Sequence, residues 1–222
     1  MSQSDYSSTT KKSTVYVALI TAIAIIVGSV ILGIGGQDSS GEDNTAQAPA
    51  VELPNAGIST ANKAVITLKT NQGEITIDTL PALAPQTVNA IAALAQNKYF
   101  DGTICHRLTT EGIFVLQCGD PTGTGTGGPG FNIPDENLPQ PIVNNYPAGT
   151  VAMANAGPGT SGSQFFLVYQ DTSLGPDYTI WGSITSGLDI LKTIASAGVV
   201  GGGADGAPAS AVTIESVNVT IS

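Results

Sequence analysis

Residues 99–131 read YFDGTICHRLTTEGIFVLQCGDPTGTGTGGPGF. TICHRLTT (103–110) and IFVLQCGD (113–120) alternate in polarity and read as a hairpin-like pair of strands. A glycine-rich loop runs on from Pro121 to Gly130. It superficially resembles a phosphate cradle, but it lacks the G-K-[ST] ending and a following helix signal, which rules out a nucleotide site of that kind. Its glycines read instead as the residues that tight turns require.

The same short-strand pattern extends in both directions. AVITLKT (64–70) and EITIDTL (74–80) flank a turn at Asn71-Gln72-Gly73. APQTVNAIAALAQNKYF follows, with Pro85 at a helix start, where a missing N–H costs nothing, and an apolar stripe of Val88, Ile91, Ala92 and Leu94. Further strands are predicted at 149–156, 164–170 and 178–184, and a short helix at Leu188–Ala195. The glycine-rich stretch 201–206 reads as a loop, and SAVTIESVNVTIS (210–222) alternates to the end and would close a sheet with the first strands. Eight strands and two helices are too poor in helix for a parallel α/β sheet. The expected class is mainly β: a closed eight-stranded antiparallel barrel capped by two helices, since closure removes exposed strand edges.

Composition narrows the function. Charged residues make up 11% of the 222, and the formal net charge is −10, which repels nucleic acid. One histidine, His106, is too few for a multi-histidine zinc site, and no metal or cofactor is expected. There is no G-x-S-x-G elbow for a serine hydrolase.

Ahead of the β-rich domain, STVYVALITAIAIIVGSVILG (13–33) is uncharged and of the length needed to span a bilayer. Lys11 and Lys12 precede it, and Asp38, Glu42 and Asp43 follow. The lysine bias predicts a cytoplasmic tail at 1–12, a single-pass anchor at 13–34, a flexible linker at 35–62 and an extracytoplasmic domain at 63–222. A cleaved signal peptide is the rival reading, with a shorter apolar run and a nearby small-residue site as its marks.

Three stretches carry a family resemblance in the right order and spacing: the run 99–131, MANAGPGTSGSQFF at 153–166, and YTIWG at 178–182. Together they resemble the cyclophilin-type peptidyl-prolyl cis/trans isomerases over roughly residues 64–222. The resemblance implies a barrel whose outer face grips a proline-containing polypeptide. It assigns catalysis to Arg107. It sets His106, Phe114, Val115, Gln117, Ala154, Asn155, Gln164, Phe166, Leu174 and Tyr178 around the peptide, with Phe114 and Phe166 as its apolar floor. His106 is not assigned as a general base.

Departures from the family pattern are also legible. Val115 stands where methionine is frequent, the hairpin tip between Arg107 and Phe114 is longer, and Tyr178 replaces a rim histidine. The rim tryptophan of many members is absent near Ser173 and Leu174, which implies weak cyclosporin binding; Trp181 reads as core. Cys105 and Cys118 occupy positions where phenylalanine and glycine are frequent. Alternation puts Cys105 on the Arg107 face and Cys118 on the other, which favours two buried thiols over a bridge unless a bulge intervenes.

An X–Pro bond has nearly balanced isomers separated by a barrier of about 18–20 kcal/mol. A fixed guanidinium aimed at the prolyl nitrogen favours the twisted bond over the planar one, while aromatic walls hold the ring. The expected protein is therefore a monomeric, membrane-anchored prolyl isomerase that assists folding of exported or surface proteins. A non-catalytic proline-peptide-binding module is the alternative. A small-molecule barrel is weaker, because eight-stranded interiors are filled by side chains.

Overall fold

A computed structural model of the chain describes residues 52–222. The tail expected at 1–12, the membrane segment at 13–34 and the linker as far as residue 51 lie outside them. In chain order the elements are β1 (Ala64–Thr70), β2 (Gly73–Thr79), α1 (Pro85–Gln96), β3 (Arg107–Thr109), β4 (Val115–Cys118), β5 (Thr150–Met153) and β6 (Phe165–Val168). Then come β7 (Ile180–Ser186), α2 (Leu188–Ser196), β8 (Asp205–Gly206) and β9 (Ile214–Ile221).

Alternation sets the sheet. In β1 the side chains of Ala64, Ile66, Leu68 and Thr70 are buried and those between are not; in β2 the buried set is Ile75, Ile77 and Thr79. Their antiparallel register pairs Ile66 with Ile77 and Leu68 with Ile75, so the two apolar rows face one core. α1 begins with Pro85 and has no side-chain cap of its own. Glu136, far along the chain, takes that role: its Oε2 accepts from the Thr87 amide at 2.9 Å and the Thr87 hydroxyl at 2.8 Å. A carboxylate there also complements the positive end of the helix dipole.

The nine strands follow the order β8-β3-β4-β6-β5-β7-β2-β1-β9. Every pairing is antiparallel. The sheet curls into a half-barrel, which corrects the closed eight-stranded barrel expected from the sequence. β3 is too short to complete a ladder, because its pairing with β4 begins only at Arg107. The chain just before β3 meets the chain just before β9 through the single bridge Ile104↔Thr213 and a few backbone bonds, such as Cys105 N–H to the Val212 carbonyl at 2.9 Å. The two-residue β8, read from the sequence as plain loop, covers the outer edge of β3.

Each central strand divides its side chains between two clusters. Leu116, Cys118, Val151, Met153, Phe165 and Leu167 join the main core with Ile91 and Trp181. Val115, Ala152, Phe166 and Val168 face the other way and gather around Tyr146. The larger cluster holds the domain together; the smaller one floors the candidate site.

Two features differ from the sequence reading. Cys105 and Cys118 form a disulfide. Strict alternation fails just ahead of β3: Cys105 is 3% exposed and turns into the core with Cys118, although Arg107 faces outward. This is the irregularity that lets the sulfurs meet. In addition, the last stretch expected as linker packs on the domain. Ile58 is buried, and its amide donates to Asn89 Oδ1 at 2.9 Å while Asn89 Nδ2 donates back to its carbonyl at 2.8 Å. Leu53 and Ala56 pack against the same core.

Cys105 and Cys118 lie 13 residues apart, so their bridge closes a short loop. Opening it by reduction or by the double Cys→Ala variant is expected to cost about 3 kcal/mol and to lower the melting temperature. Identical melting curves with and without reductant would mean that the bridge does not form in solution.

Candidate active site

The smaller cluster becomes a site through register. Arg107 on β3 lies opposite Gln117 on β4, Gln117 lies opposite Phe166 on β6, and Phe166 lies opposite Ala152 on β5. These four side chains form one row across four strands on one face. Neighbouring strands are about 4.8 Å apart, so the guanidinium-bearing strand stands about 10 Å from the strand that carries the aromatic floor.

That floor is built from aromatic edges. Phe166, 4% exposed, meets Tyr178 edge-on at 5.6 Å between ring centroids and Tyr146 at 6.0 Å. Tyr146 is fully buried; its hydroxyl bonds the Gly175 and Tyr178 carbonyls, each at 3.2 Å, and accepts from the Tyr178 amide. Burial pushes its phenol up to about 12, so it stays a neutral donor at any working pH. Val115 and Ala152 are buried in the cluster, and Ile113, Ala154, Leu174 and Ile180 pack around it.

A polar chain borders this floor. Arg107 Nη1 donates to Gln117 Oε1 at 3.3 Å, and Gln117 Nε2 donates to Gln164 Oε1 at 2.8 Å. Gln164 Nε2 donates to the Gly125 and Gly127 carbonyls at 3.1 and 2.9 Å. On its other edge Arg107 forms a two-pronged pair with Asp205, Nε to Oδ1 at 2.8 Å and Nη2 to Oδ2 at 2.7 Å. The pair is open to water, with side chains 40% and 55% exposed. The Asp205 bonds raise the Arg107 pKa, and the Arg107 bonds lower that of Asp205.

Beyond Gln117 the face continues into a groove of about 810 Å³ lined by Gly125–Asn132, Ala154, Asn155 and Gln164. The glycine-rich loop is tied down from beneath by Asp120, whose carboxylate accepts from the Thr122 hydroxyl and from the amides of Thr122, Thr124, Gly125 and Gly127. Burial alone would raise the Asp120 pKa; these donors outweigh it and hold it well below the ordinary carboxylate range. Added at Gly127, a β-carbon would collide with Asp120 Oδ1, so glycine is required there.

The structure brings most of the sequence-assigned residues together. Arg107, Val115, Gln117, Phe166 and Tyr178 surround the floor; Leu174 forms part of its rim, its backbone pinned by Asn145 at 2.8 and 3.0 Å. Ala154, Asn155 and Gln164 line the groove. The Asn155 side chain is spent holding the rim, Nδ2 donating to the Asp177 carbonyl at 2.8 Å, and the Ala154 amide is used by the Gln164 carbonyl at 2.9 Å. The Asn155 amide and carbonyl make no backbone hydrogen bond among the described residues.

Phe114 and His106 stand apart. Phe114 is partly buried against the main core and meets Tyr169 edge-on at 6.0 Å, because it sits one residue out of phase with Val115. His106 lies under the glycine-rich loop; its ring nitrogens are buried without a protein partner, and burial lowers its pKa, so it is neutral at pH 7. Ile113, Tyr146, Ala152 and Asp205 were missed. Alternation backward from Gln117 points to Ile113; nothing local marks the other three, which arrive by long-range pairing.

The sequence profile described as cyclophilin type peptidyl-prolyl cis-trans isomerase/CLD matches residues 65–219. Among similar proteins, the probable peptidyl-prolyl cis-trans isomerase B of Mycobacterium tuberculosis (strain ATCC 25618 / H37Rv) is 48% identical over 182 residues, 75% of this chain and 58% of that protein. That of Mycobacterium leprae (strain TN) is 44% identical over 206 residues, 86% of this chain and 68% of that protein. The chain thus spans less than two thirds of the Mycobacterium tuberculosis relative. A crystal structure of a Cryptosporidium parvum cyclophilin type peptidyl-prolyl cis-trans isomerase superposes with a TM-score of 0.62 at 27% identity, over 71% of this chain and 98% of that one. A second, determined in the presence of the dipeptide Ala-Pro, gives 0.61 at 28%, over 70% and 98%.

Phe166→Ala should weaken binding of a proline peptide about 10-fold or more in calorimetric titration. Phe114→Ala should leave that affinity within about twofold while costing about 2 kcal/mol of stability. The reverse pattern would restore Phe114 to the floor. Asp120 has a folded pKa below its unfolded value of 3.8, so its stabilisation is full above that value and is lost as pH falls below it. Asp120→Asn should therefore lower the melting temperature at pH 7, with the gap to wild type narrowing toward pH 3.

Proposed function

Starting from the fact that this chain belongs to the cyclophilin-type peptidyl-prolyl cis-trans isomerase family, we propose that it accelerates cis/trans rotation of X–Pro bonds in polypeptides. The observation that carries this reading is the cross-strand row from Arg107 through Gln117 to Phe166. It puts a permanent cation one strand away from a polar holder and two strands away from an aromatic floor.

The proline ring rests against Phe166, walled by Val115, Ile113 and Tyr178. The groove beside Gln117 receives the chain ahead of the proline, with the free Asn155 backbone groups as its partners. Arg107 addresses the prolyl nitrogen. As the amide twists, that nitrogen becomes pyramidal and regains its lone pair, so the guanidinium attracts it more strongly than it attracts the planar bond. An acceleration of about 10⁵–10⁶-fold asks the whole site for about 7–8 kcal/mol. The Asp205 pair does not defeat this role. Asp205 occupies the Nε–Nη2 edge, while Nη1 points to Gln117. No step needs a nucleophile, a metal or a cofactor.

The setting follows from the amino-terminal sequence. Residues 13–34 anchor the chain in a membrane, with 1–12 in the cytoplasm and the catalytic domain outside, where it acts on exported or surface proteins as a monomer. The Lys11–Lys12 flank and the Cys105–Cys118 bridge support this, since disulfides persist in oxidising compartments. The absence of tryptophan around Ser173–Leu174 supports weak cyclosporin binding.

In a coupled or NMR-exchange assay on an X–Pro peptide, the full-length chain in detergent should outpace its Arg107→Ala variant about 10²–10³-fold in kcat/KM. Equal rates with retained peptide affinity would favour the non-catalytic binding module instead. Protease added to intact cells should remove residues 63–222; protection of that domain would place it on the cytoplasmic side.

A further inference from the structure

We infer that Asp205 is a positioning residue for the isomerase site: it fixes the rotation of the Arg107 guanidinium so that its Nη1 edge faces the proline floor. The inference rests on the isomerase reading above and assigns a purpose to the glycine-rich stretch at 198–206.

Arg107 is only half-buried, and it is the first residue of a three-residue strand. An exposed arginine samples many rotamers, and Gln117, at 3.3 Å, offers one weak acceptor on one nitrogen. Asp205 supplies the missing restraint. Its two oxygens meet Nε and Nη2 at 2.8 and 2.7 Å, a parallel two-bond geometry that defines the plane of the guanidinium as well as its place. Only the edge carrying Nη1 remains, and it points along the row toward Gln117 and Phe166.

The backbone is built to present this carboxylate. β8 is two residues long, yet it pairs with β3: Thr109 opposite Asp205 and Leu108 opposite Gly206. The Thr110 amide donates to the Ala204 carbonyl at 2.9 Å. Arg107 and Asp205 are thus on adjacent strands, offset by two residues, within diagonal reach for long side chains. Gly206 has φ +156°, and a β-carbon on it would stand 2.9 Å from Val199 Cγ1. Gly201 and Gly202 also turn at positive φ, bringing the chain back from Val199 to β3. The pair is exposed, so it adds little to stability. Its work is orientation.

The experiment compares full-length wild type with Asp205→Ala, Asp205→Asn, Gly206→Ala and Arg107→Ala on an uncharged X–Pro peptide. Asp205→Ala is expected to lower kcat about 10-fold or more with KM within about twofold and an unchanged melting temperature. Asp205→Asn keeps one acceptor but sets an NH2 donor against the second guanidinium N–H, so it should recover only part of the loss. Gly206→Ala, which keeps the carboxylate but displaces it, should resemble Asp205→Ala. The Arg107 Nε–H resonance should be sharp in wild type and exchange-broadened in Asp205→Ala. Raising salt, which screens an exposed pair, should slow wild type and leave Asp205→Ala unaffected. Asp205→Ala or Asp205→Asn turning over as fast as wild type would overturn the inference. Wild type no faster than Arg107→Ala would instead overturn the isomerase reading beneath it.

Discussion

Register across β3, β4, β6 and β5 is the constraint on which everything else depends. A one-residue slip of any of these strands would send its outward set into the core and its inward set to the surface. Phe166 would trade places with Phe165, and Gln117 with Cys118. The chain guards against this at several points. Leu108 pairs with Leu116 on the core side. Tyr169 donates its hydroxyl to the Thr109 carbonyl at 2.6 Å, and the Val115 amide donates to Thr109 Oγ1 at 3.1 Å. The Cys105–Cys118 bridge then joins β4 covalently to the chain just ahead of β3, one residue from Gln117 and two from Arg107. At this hairpin the disulfide and the Thr109 hydroxyl both help to hold register.

Electrostatically the site is a single cation in an acidic protein. The chain carries a net charge of −10, and one carboxylate, Asp205, is in contact with Arg107. In a dry site such a pair would cancel the field that isomerisation needs. Here both partners are open to water, whose screening reduces what each charge feels of the other. The guanidinium still donates where its N–H groups point, because hydrogen bonding at Nη1 is short-ranged and directional. Orientation therefore survives where net charge does not.

Much of the site was legible in the sequence, for a physical reason. Gln117, Val115 and Phe166 were reached through the family resemblance, and the cross-strand register that gathers them is the physical reason they share a site. Where alternation breaks, the reading failed. Cys105 was set on the Arg107 face, although the chain kinks between Ile104 and Arg107 to pair with β9 before it pairs with β4. Phe114 was placed on the floor by the family resemblance, although its neighbour Val115 owns that face. Barrel closure failed for a related reason: strand count does not say whether the last pair of edges forms a ladder or a single bridge. Asp205 and Tyr146 were invisible because β8 is two residues long and Tyr146 lies outside any named strand, held by an isolated bridge to Thr172. Likewise Ile58 docks on α1 through one buried side chain and two amide bonds, with no period to announce it.

Tyr146 also explains how a floor with valine in place of a more deformable side chain keeps its shape. Val115 is short and branched, so it cannot move to fill a gap. The space is instead set from below and beside. Tyr146 stands under Phe166 and Tyr178, edge-on to both, and its hydroxyl ties the Gly175 and Tyr178 backbone. Ile113 packs against the same cluster as Val115. Aromatic edges and β-branched chains have few rotamers, so little freedom remains to be lost when a proline ring enters. The floor is preformed, and preformed floors favour one ring pose over adaptability. In the proposed role, a proline held in one pose keeps its nitrogen at a fixed offset from Nη1. Rigidity at Tyr146 and rigidity at Asp205 thus serve the same end from opposite sides of the row.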